Sequence, residues 1–378
     1  MADAVRPTRW LLPTVLPIIR IMLTTFLRED QPTEEFNSPK YLYDRYDFII
    51  VGGGTAGCVL ASRLSEVAHW KILVLEAGGP PPPESRVPGL SRLFYFPSAT
   101  TWHYNLAPQR HGLRAYNNRS SPVPHGRVIG GSSTVNGMVY ARGSPRDFDH
   151  WASLGNPGWD YLSVLPYFKK SERYRGPKRP HTERFHGRRG PIPVTPESPG
   201  FFTRVFLQAG RYLGFKLIDP NGPDLMGFAG PDYTIYRGER WGPVRAYLEP
   251  AAKRPNLHIL HSAHVLRIIF NKDKVAVGVI FMHHDKVKAV KANLEVILSA
   301  GAIASPKVLM LSGVGPQKHL HHHGIKVVHD LPGVGKNLQE HMCLYGLTWT
   351  VKPGVPNDVL NAANPASVTQ YVHQKSGM

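Results

Sequence analysis

The chain has 378 residues, 42% of them hydrophobic, which excludes a wholly disordered protein. Its 36 glycines and 35 prolines exclude a helical bundle or coiled coil, and its two cysteines exclude a disulfide framework and a four-thiolate zinc site. The net charge of +18 comes from scattered basic residues without a nucleic-acid-binding motif, so the sequence predicts no nucleic-acid partner.

Residues 1–45 differ from the rest of the chain and form a leader. Two arginines precede an apolar stretch at 10–19, and a third arginine separates it from a second apolar stretch at 21–27. A basic start before an apolar stretch is typical of a secretory signal or anchor, whereas the interrupting arginine and prolines suit an apolar arm packed on the domain. The glycosylation sequon at 118–120 is compatible with secretion. We expect a secreted or extracellular protein, whose leader alone would associate with a membrane.

A strand, a glycine-rich turn, a helix and a second strand follow in order. Residues 46–51 (YDFIIV) and 71–76 (KILVLE) are short apolar runs rich in β-branched residues, as in buried parallel strands. The sequence GGGTAG at 52–57 joins the first strand to a helix predicted at 58–64. This order is typical of a dinucleotide-binding unit; the alternative is a glycine-rich turn without a ligand.

Three of the four glycines of this turn have a predicted task. Gly52 permits the tight turn, Gly54 lets a diphosphate approach the backbone, and Gly57 lets the helix pack closely on the strand. The helix start offers free N–H groups to the phosphates. Glu76, 24 residues after Gly52, ends the second strand, where it can accept hydrogen bonds from both ribose hydroxyls. An acid at that place disfavours NADP but does not separate NAD from FAD.

The later segments carry weaker chemical signals. The segment 127–140 is rich in Gly, Ser and Asn, which suits either wrapping of an extended cofactor or a plain loop. Residues 294–299 predict a strand before a helix that Ser305 caps and Pro306 begins, with Gly313 at its end. That helix start either approaches an adenosine or is ordinary capping. We also predict a connector at 169–200, a helix at 201–215 and several strands at 256–298.

Four blocks together resemble one family. Residues 46–79, 126–168, 294–315 and 331–341 look like the glucose–methanol–choline (GMC) oxidoreductases, in the style of arthropod glucose dehydrogenase-like members. The resemblance implies an α/β fold, namely a Rossmann-like FAD-binding fold with an incomplete substrate domain. It places an FAD-binding domain at 46–343, with a cofactor lid from 80 to about 118 and a substrate-side insertion near 193–243. It also makes 344–378 the beginning of a truncated substrate domain.

The same resemblance implies FAD and a set of residues around it. Some relatives attach the flavin through a histidine just before the matching asparagine; Val135 stands there in this chain, which implies a non-covalent cofactor. Five residues would hold the diphosphate, namely Gly52, Gly54, Thr55, Ala56 and Gly57. Glu76 and Ala77 would lie at the adenosine ribose. The residues at the diphosphate and flavin would be Arg127, Gly131, Ser132, Asn136, Gly137, Met138 and Val139. Val265 and Ala300 would contact the adenosine through their backbones.

The implied activity is oxidation of the CH–OH group of an alcohol or sugar by hydride transfer to the flavin, with an unknown electron acceptor. The reaction needs a base within hydrogen-bonding reach of the substrate hydroxyl. In the family that base is a histidine far toward the C-terminus, and we find no matching block before Met378. We therefore assign no catalytic residue and expect little turnover from this chain alone. The alternative is a non-catalytic module that binds flavin or nucleotide or serves in interactions.

The histidine run at 319–323 does not predict a metal site. Consecutive histidines point in different directions on a helix or strand, so they make poor joint ligands. We predict a solvated helix end there and no bound metal.

Overall fold

In the computed structural model, the described residues are 39, 41–95, 98–178, 180–341, 370–371 and 374–375. Nearly all of the predicted leader, and most of the segment 344–378, lie outside these ranges. The predictions made for them stay predictions.

Regular elements alternate along the described chain. The strands are β1 (Arg45–Val51), β2 (Ile72–Leu75), β3 (Thr101–Asn105), β4 (Pro122–Gly126), β5 (Val139–Tyr140), β6 (Glu172–Tyr174), β7 (Ile192–Pro196), β8 (Asp232–Tyr233), β9 (Ile235–Tyr236), β10 (Glu239–Arg240), β11 (Leu257–Leu260), β12 (Ala263–Phe270), β13 (Ala276–His283), β14 (Lys286–Leu298), β15 (Val314–Gly315) and β16 (His329–Asp330). The helices are α1 (Thr55–Leu64), α2 (Ser132–Val135), α3 (Pro145–Ser153), α4 (Tyr161–Ser171), α5 (Phe201–Tyr212), α6 (Glu249–Ala252), α7 (Gly301–Leu311) and α8 (Gln317–His322). Short 3₁₀ turns and one π turn are Pro83–Arg86, Pro88–Tyr95, Asn117–Arg119, Glu183–Phe185 and Val244–Leu248.

The main sheet has six strands in the order β11-β2-β1-β14-β13-β12. Strand β1 alternates its apolar side chains between two cores. Ile49 and Val51 join one core, whereas Phe48 and Ile50 join the other, with α1 residues such as Cys58. A strand covered on both faces must be apolar throughout, so the run FIIV forms a central strand.

Strand β14 changes partner along its 13 residues. Its first part pairs antiparallel with β13, from Lys286 onward, and its last part pairs parallel with β1, ending with Leu298 opposite Val51. Strands β2 and β11 also run parallel and end together, with Leu260 opposite Leu75. The carboxyl ends of four parallel strands therefore meet at one edge, which is where open α/β sheets bind ligands.

A second sheet has the strand order β5-β8-β7-β6, and α3, α4 and α5 come between its strands in the sequence. The predicted connector at 169–200 is wrong in part, because it contains β6 and β7. The many proline, glycine and basic residues of this segment predicted a connector and gave no sign of the buried ionic cluster at Glu172 and His186. The predicted helix at 201–215 is confirmed as α5, and Gly214 follows it with φ +85°.

Helix α7 begins earlier than predicted. It starts at Gly301 after Ala300, and Ser305 and Pro306 lie inside it. Pro306 is the sixth helical residue and has no N–H to donate to the preceding turn. The helix therefore lacks one backbone hydrogen bond there but continues to Leu311. The predicted end is confirmed, since Gly313 has φ +87° directly after the helix.

Candidate active site

The turn after β1 is built for close backbone contact. Gly52 has φ +99°, and a Cβ there would lie 2.6 Å from the carbonyl oxygen of Ser299. A Cβ at Gly57 would overlap the carbonyl oxygen of Gly52, so α1 can approach β1 only with glycine there. The Ser299 hydroxyl donates to the Gly52 carbonyl at 2.9 Å and fixes the turn against the end of β14.

Beyond this turn, α1 presents an uncapped start. Gly54 precedes the helix, and neither a side-chain cap nor an acidic residue of its first turn occupies the N–H groups. The backbone of Gly131 faces Gly54, because a Cβ at Gly131 would lie 2.9 Å from the Gly54 Cα. The Gly130 N–H donates to the Gly53 carbonyl at 2.8 Å, which ties the two glycine segments together. The result is a cradle without side chains at the positive end of a helix dipole.

Glu76 lies at the end of β2 with only 6% of its surface exposed. The Gly53 N–H donates to its Oε2 at 2.9 Å, and the Gly78 N–H to its Oε1 at 2.8 Å. Burial raises the pKa of Glu76 to about 6, although these bonds and the Arg127 charge act in the other direction. Each carboxylate oxygen can accept further bonds, so Glu76 remains able to receive hydroxyl donors.

Arg127 supplies positive charge beside this carboxylate. Its guanidinium lies 4.6 Å from the ring centre of Trp102 in β3. Its Nε is buried and has no hydrogen-bond partner among the residues that the structure describes. A buried cationic donor without a partner suits an anionic ligand.

A cleft of about 630 Å³ opens at this edge of the main sheet. Ten of the sixteen predicted cofactor residues line it: Gly52, Gly54, Thr55, Ala56, Glu76, Ala77, Gly131, Ser132, Val265 and Ala300. Gly57 lies beneath the cleft within α1. The cleft lining does not include Arg127, Asn136, Gly137, Met138 or Val139, the last of which pairs with Tyr233 in the second sheet.

Sequence reasoning missed an aromatic wall of the cleft. Trp102 and Tyr104 of β3, His125 of β4 and His264 of β12 line it. The ring centres of Trp102 and His264 are 5.5 Å apart. The alternation of aromatic residues in TWHYN at 101–105 was the available signal, and it lay inside the segment interpreted only as a lid.

The donor set fits an adenine dinucleotide. The glycine cradle leaves room for phosphates, the start of α1 and Arg127 favour negative charge, and Glu76 can accept from sugar hydroxyls. The sequence profile of the GMC oxidoreductases matches residues 46–343.

The chain belongs to the GMC oxidoreductase family. It is 41% identical over 304 residues to "Glucose dehydrogenase [FAD, quinone]" of Drosophila pseudoobscura pseudoobscura, covering 79% of this chain and 48% of that protein. It is 43% identical over 317 residues to "Oxygen-dependent choline dehydrogenase" of Rhizobium etli, covering 81% and 55%. The chain thus spans about half the length of the curated relatives it matches.

Solved structures agree with this assignment. An FAD-dependent oxidoreductase from Chaetomium thermophilum matches with a TM-score of 0.71 and 36% identity over 78% of this chain and 52% of that one. Pyridoxine 4-oxidase from "Mesorbium loti" matches with a TM-score of 0.70 and 32% identity over 76% and 55%. The predicted family and the predicted α/β fold of GMC type are therefore confirmed, and with them a family of flavin enzymes.

Within the described ranges, no three His, Cys, Asp or Glu side chains are arranged to hold a metal ion. The histidines of the run at 319–323 are exposed at the end of α8, which confirms the predicted solvated helix end. Among the helices of the described part, none is long and apolar enough to cross a bilayer.

Proposed function

We propose that this GMC oxidoreductase chain binds FAD non-covalently in the cleft of the main sheet. The observation that carries the proposal is the glycine cradle between Gly54 and Gly131 at the uncapped start of α1. In this proposal the N–H groups of Thr55 and Ala56 bind the diphosphate. Gly57 contributes indirectly, by letting the helix come close.

The adenosine half is assigned to the ends of β2, β12 and β14. Glu76 accepts from the ribose hydroxyls, with Ala77 beside it. Val265 and Ala300 both line the cleft, where their backbones would contact the adenosine. The low exposure of Glu76 supports a sheltered interaction, because water competes little with a ligand there.

The flavin half is assigned to the segment after Gly131. Arg127 and Ser132 lie nearest the cradle, and residues 136–139 extend from it toward the second sheet. Val135 cannot form a bond to the flavin, which supports non-covalent binding.

For the whole protein we propose oxidation of a CH–OH group of a small alcohol or sugar. FAD, when bound, supplies the acceptor of the hydride that leaves the carbinol carbon. The chain's own residues bind and orient the cofactor. We assign the hydroxyl base to none of the described residues, and we propose that this chain alone has little or no turnover. The electron acceptor and a secreted location remain part of the proposal.

The cofactor test uses the purified full chain. We expect yellow protein that releases FAD on denaturation, without a covalent protein adduct. Gly54→Asp should abolish FAD uptake, because a carboxylate would enter the phosphate cradle. Gly333→Asp is the control, since a Cβ there meets nothing within 4 Å, a Cβ at Gly54 makes only an ordinary 3.8 Å contact, and Gly333 lies outside the cleft. Folded protein that takes up no FAD in excess cofactor would refute the proposal.

The activity test follows the colour of the bound cofactor. Anaerobic addition of alcohols or sugars should bleach the flavin absorption slowly or not at all in this chain. Rapid bleaching would show that this chain already contains a base and would contradict the proposed lack of turnover. Absence of bleaching agrees both with this proposal and with the alternative of a non-catalytic flavin-binding module, whereas slow bleaching that depends on an alcohol or sugar excludes that alternative.

A further inference from the structure

Arg240 of β10 is a buried cation that joins three segments. Only 6% of its surface is exposed. Its Nε donates to the Ser85 carbonyl at 2.7 Å, and its Nη1 donates to the Ser133 carbonyl at 2.9 Å. Two more bonds of 2.7 Å reach Asn136, from Nη1 to the side-chain Oδ1 and from Nη2 to the backbone carbonyl. A single guanidinium thus holds the 3₁₀ turn at 83–86, helix α2 and Asn136 together.

The acceptors of these bonds are neutral carbonyl and amide oxygens, not carboxylates. Among the described residues no ion pair of Arg240 is found. Burial lowers the pKa of Arg240 to about 10, so the guanidinium stays charged at neutral pH. A buried guanidinium that loses an acceptor is strongly destabilised. The four hydrogen bonds therefore fix the positions of their acceptor atoms.

The orientation of the Asn136 amide follows from its two donors. Oδ1 accepts from Arg240 and also from the Met138 N–H at 3.0 Å. Neither a guanidinium nor a backbone N–H can accept a hydrogen bond, so a flipped amide would place donor against donor twice. The Nδ2 group must therefore point away from Arg240. It has no hydrogen-bond partner within the described part of the chain, and Asn136 is exposed.

We propose that Arg240 is a positioning residue that locks Asn136 as an N–H donor toward an acceptor oxygen of the cofactor. This inference rests on the proposed FAD site and concerns a residue outside the cleft lining. Arg240 itself does not touch the cofactor. It acts through the amide of Asn136, whose oxygen it occupies and whose nitrogen it leaves free.

The first test replaces the Nδ2 donor of Asn136 and keeps an oxygen that Arg240 can bind. Asn136→Asp retains an oxygen for Arg240 but replaces the donor by a second acceptor, whereas Asn136→Ala removes both groups. We expect the FAD dissociation constant to rise about tenfold in Asn136→Ala and about a hundredfold in Asn136→Asp. The bound flavin of both variants should also show a shifted visible spectrum. Wild-type affinity and spectrum in Asn136→Asp would overturn the inference.

The second test asks whether Arg240 acts through Asn136. Arg240→Met should raise the FAD dissociation constant about tenfold in the wild-type background and less than about twofold in the Asn136→Ala background. Equal losses in both backgrounds would mean a general structural role and would contradict the proposal. Arg240→Lys, which keeps the charge, serves in the same cycle where Arg240→Met does not fold. Arg237→Met is the control, because Arg237 is exposed on the same hairpin.

Failure of the proposed function is distinguishable from failure of this inference. A wild-type chain that binds no FAD refutes the cofactor site before any variant is made. A wild-type chain that binds FAD, with unchanged affinity in Asn136→Asp, refutes only the positioning role.

Discussion

The cleft and the ionic cluster beside β6 each contain a buried carboxylate, Glu76 and Asp219, and the pKa values of these two move in opposite directions. Glu76 in the cleft is surrounded by backbone N–H donors, and its burial raises its pKa to about 6. Burial acts in the same direction on Asp219, but the hydrogen bond from His186 and the Asn221 N–H outweigh it and lower its pKa to about 2. Burial raises the pKa of both carboxylates; a direct hydrogen bond from His186 reverses the shift at Asp219, whereas the charge of Arg127 has a smaller effect at Glu76.

In the ionic cluster beside β6, the buried charges compensate one another. His186 Nδ1 lies 3.1 Å from Glu172 Oε1, and its Nε2 lies 2.8 Å from Asp219 Oδ2. Arg142 pairs with Glu172 at 2.7 Å, and all four side chains are at most 2% exposed. Burial acts to lower the pKa of His186, but the two carboxylates raise it to about 9. In the cluster the cations Arg142 and His186 are therefore paired with Glu172 and Asp219, whereas Glu76 in the cleft and Arg127 near it remain available to a ligand.

The largest expected effect comes from breaking the compensated cluster. Glu172→Gln leaves Arg142 and His186 without their shared anion, so we expect the free energy of unfolding to fall by about 3–5 kcal/mol. Chemical denaturation of the full chain at pH 7 measures it. Glu183→Gln is the control, because its pair with Arg188 is about 30% exposed and should change stability by less than about 1 kcal/mol. A loss for Glu172→Gln as small as this control would contradict the structural role of the cluster.

The next effect tests the close packing of α1 against β1 beside the cleft. Gly57→Ala places a Cβ on the Gly52 carbonyl, so α1 must move from β1, which should cost about 1–3 kcal/mol and weaken FAD uptake. Gly54→Ala is matched to it, since its Cβ would make only an ordinary 3.8 Å contact with the Gly131 Cα. Denaturation midpoints of the two variants should differ clearly. Equal midpoints would show that close helix packing is dispensable.

The same contrast explains what the sequence could predict. The turn at 52–57 was predictable because its chemistry is local: an apolar strand, three glycines and an acid lie within about thirty residues. The ionic cluster was not, because Glu172, His186 and Asp219 are brought together from separate loops and short strands that carry no periodic pattern. The start of α7 was predicted wrongly, since Ser305 and Pro306 are a common start signal that here falls inside the helix. The site residues stay predictions, although ten of them line one cleft.

The smallest effect concerns the charge of Glu76 itself. The raised pKa means that the folded chain binds this proton more tightly than the unfolded chain, whose ordinary value is 4.5. Its contribution to stability is full below pH 4.5 and is lost as the pH rises through about 6. Glu76→Gln removes this dependence, so the stability of the cofactor-free variant relative to wild type should rise by up to about 2 kcal/mol between pH 4 and pH 8.

Two measurements separate this gain from the loss of function that should accompany it. Denaturation of flavin-free wild type and Glu76→Gln between pH 4 and 8 gives the stability difference, and FAD titration at pH 7 gives the affinity. A neutral amide has one acceptor oxygen in place of two, so the variant should bind FAD more weakly at every pH, although its stability relative to wild type rises with pH. A stability difference that is flat across this pH range would mean that Glu76 is not protonated preferentially in the folded state. The opposite pKa shifts of Glu76 and Asp219 would then no longer distinguish the two carboxylates.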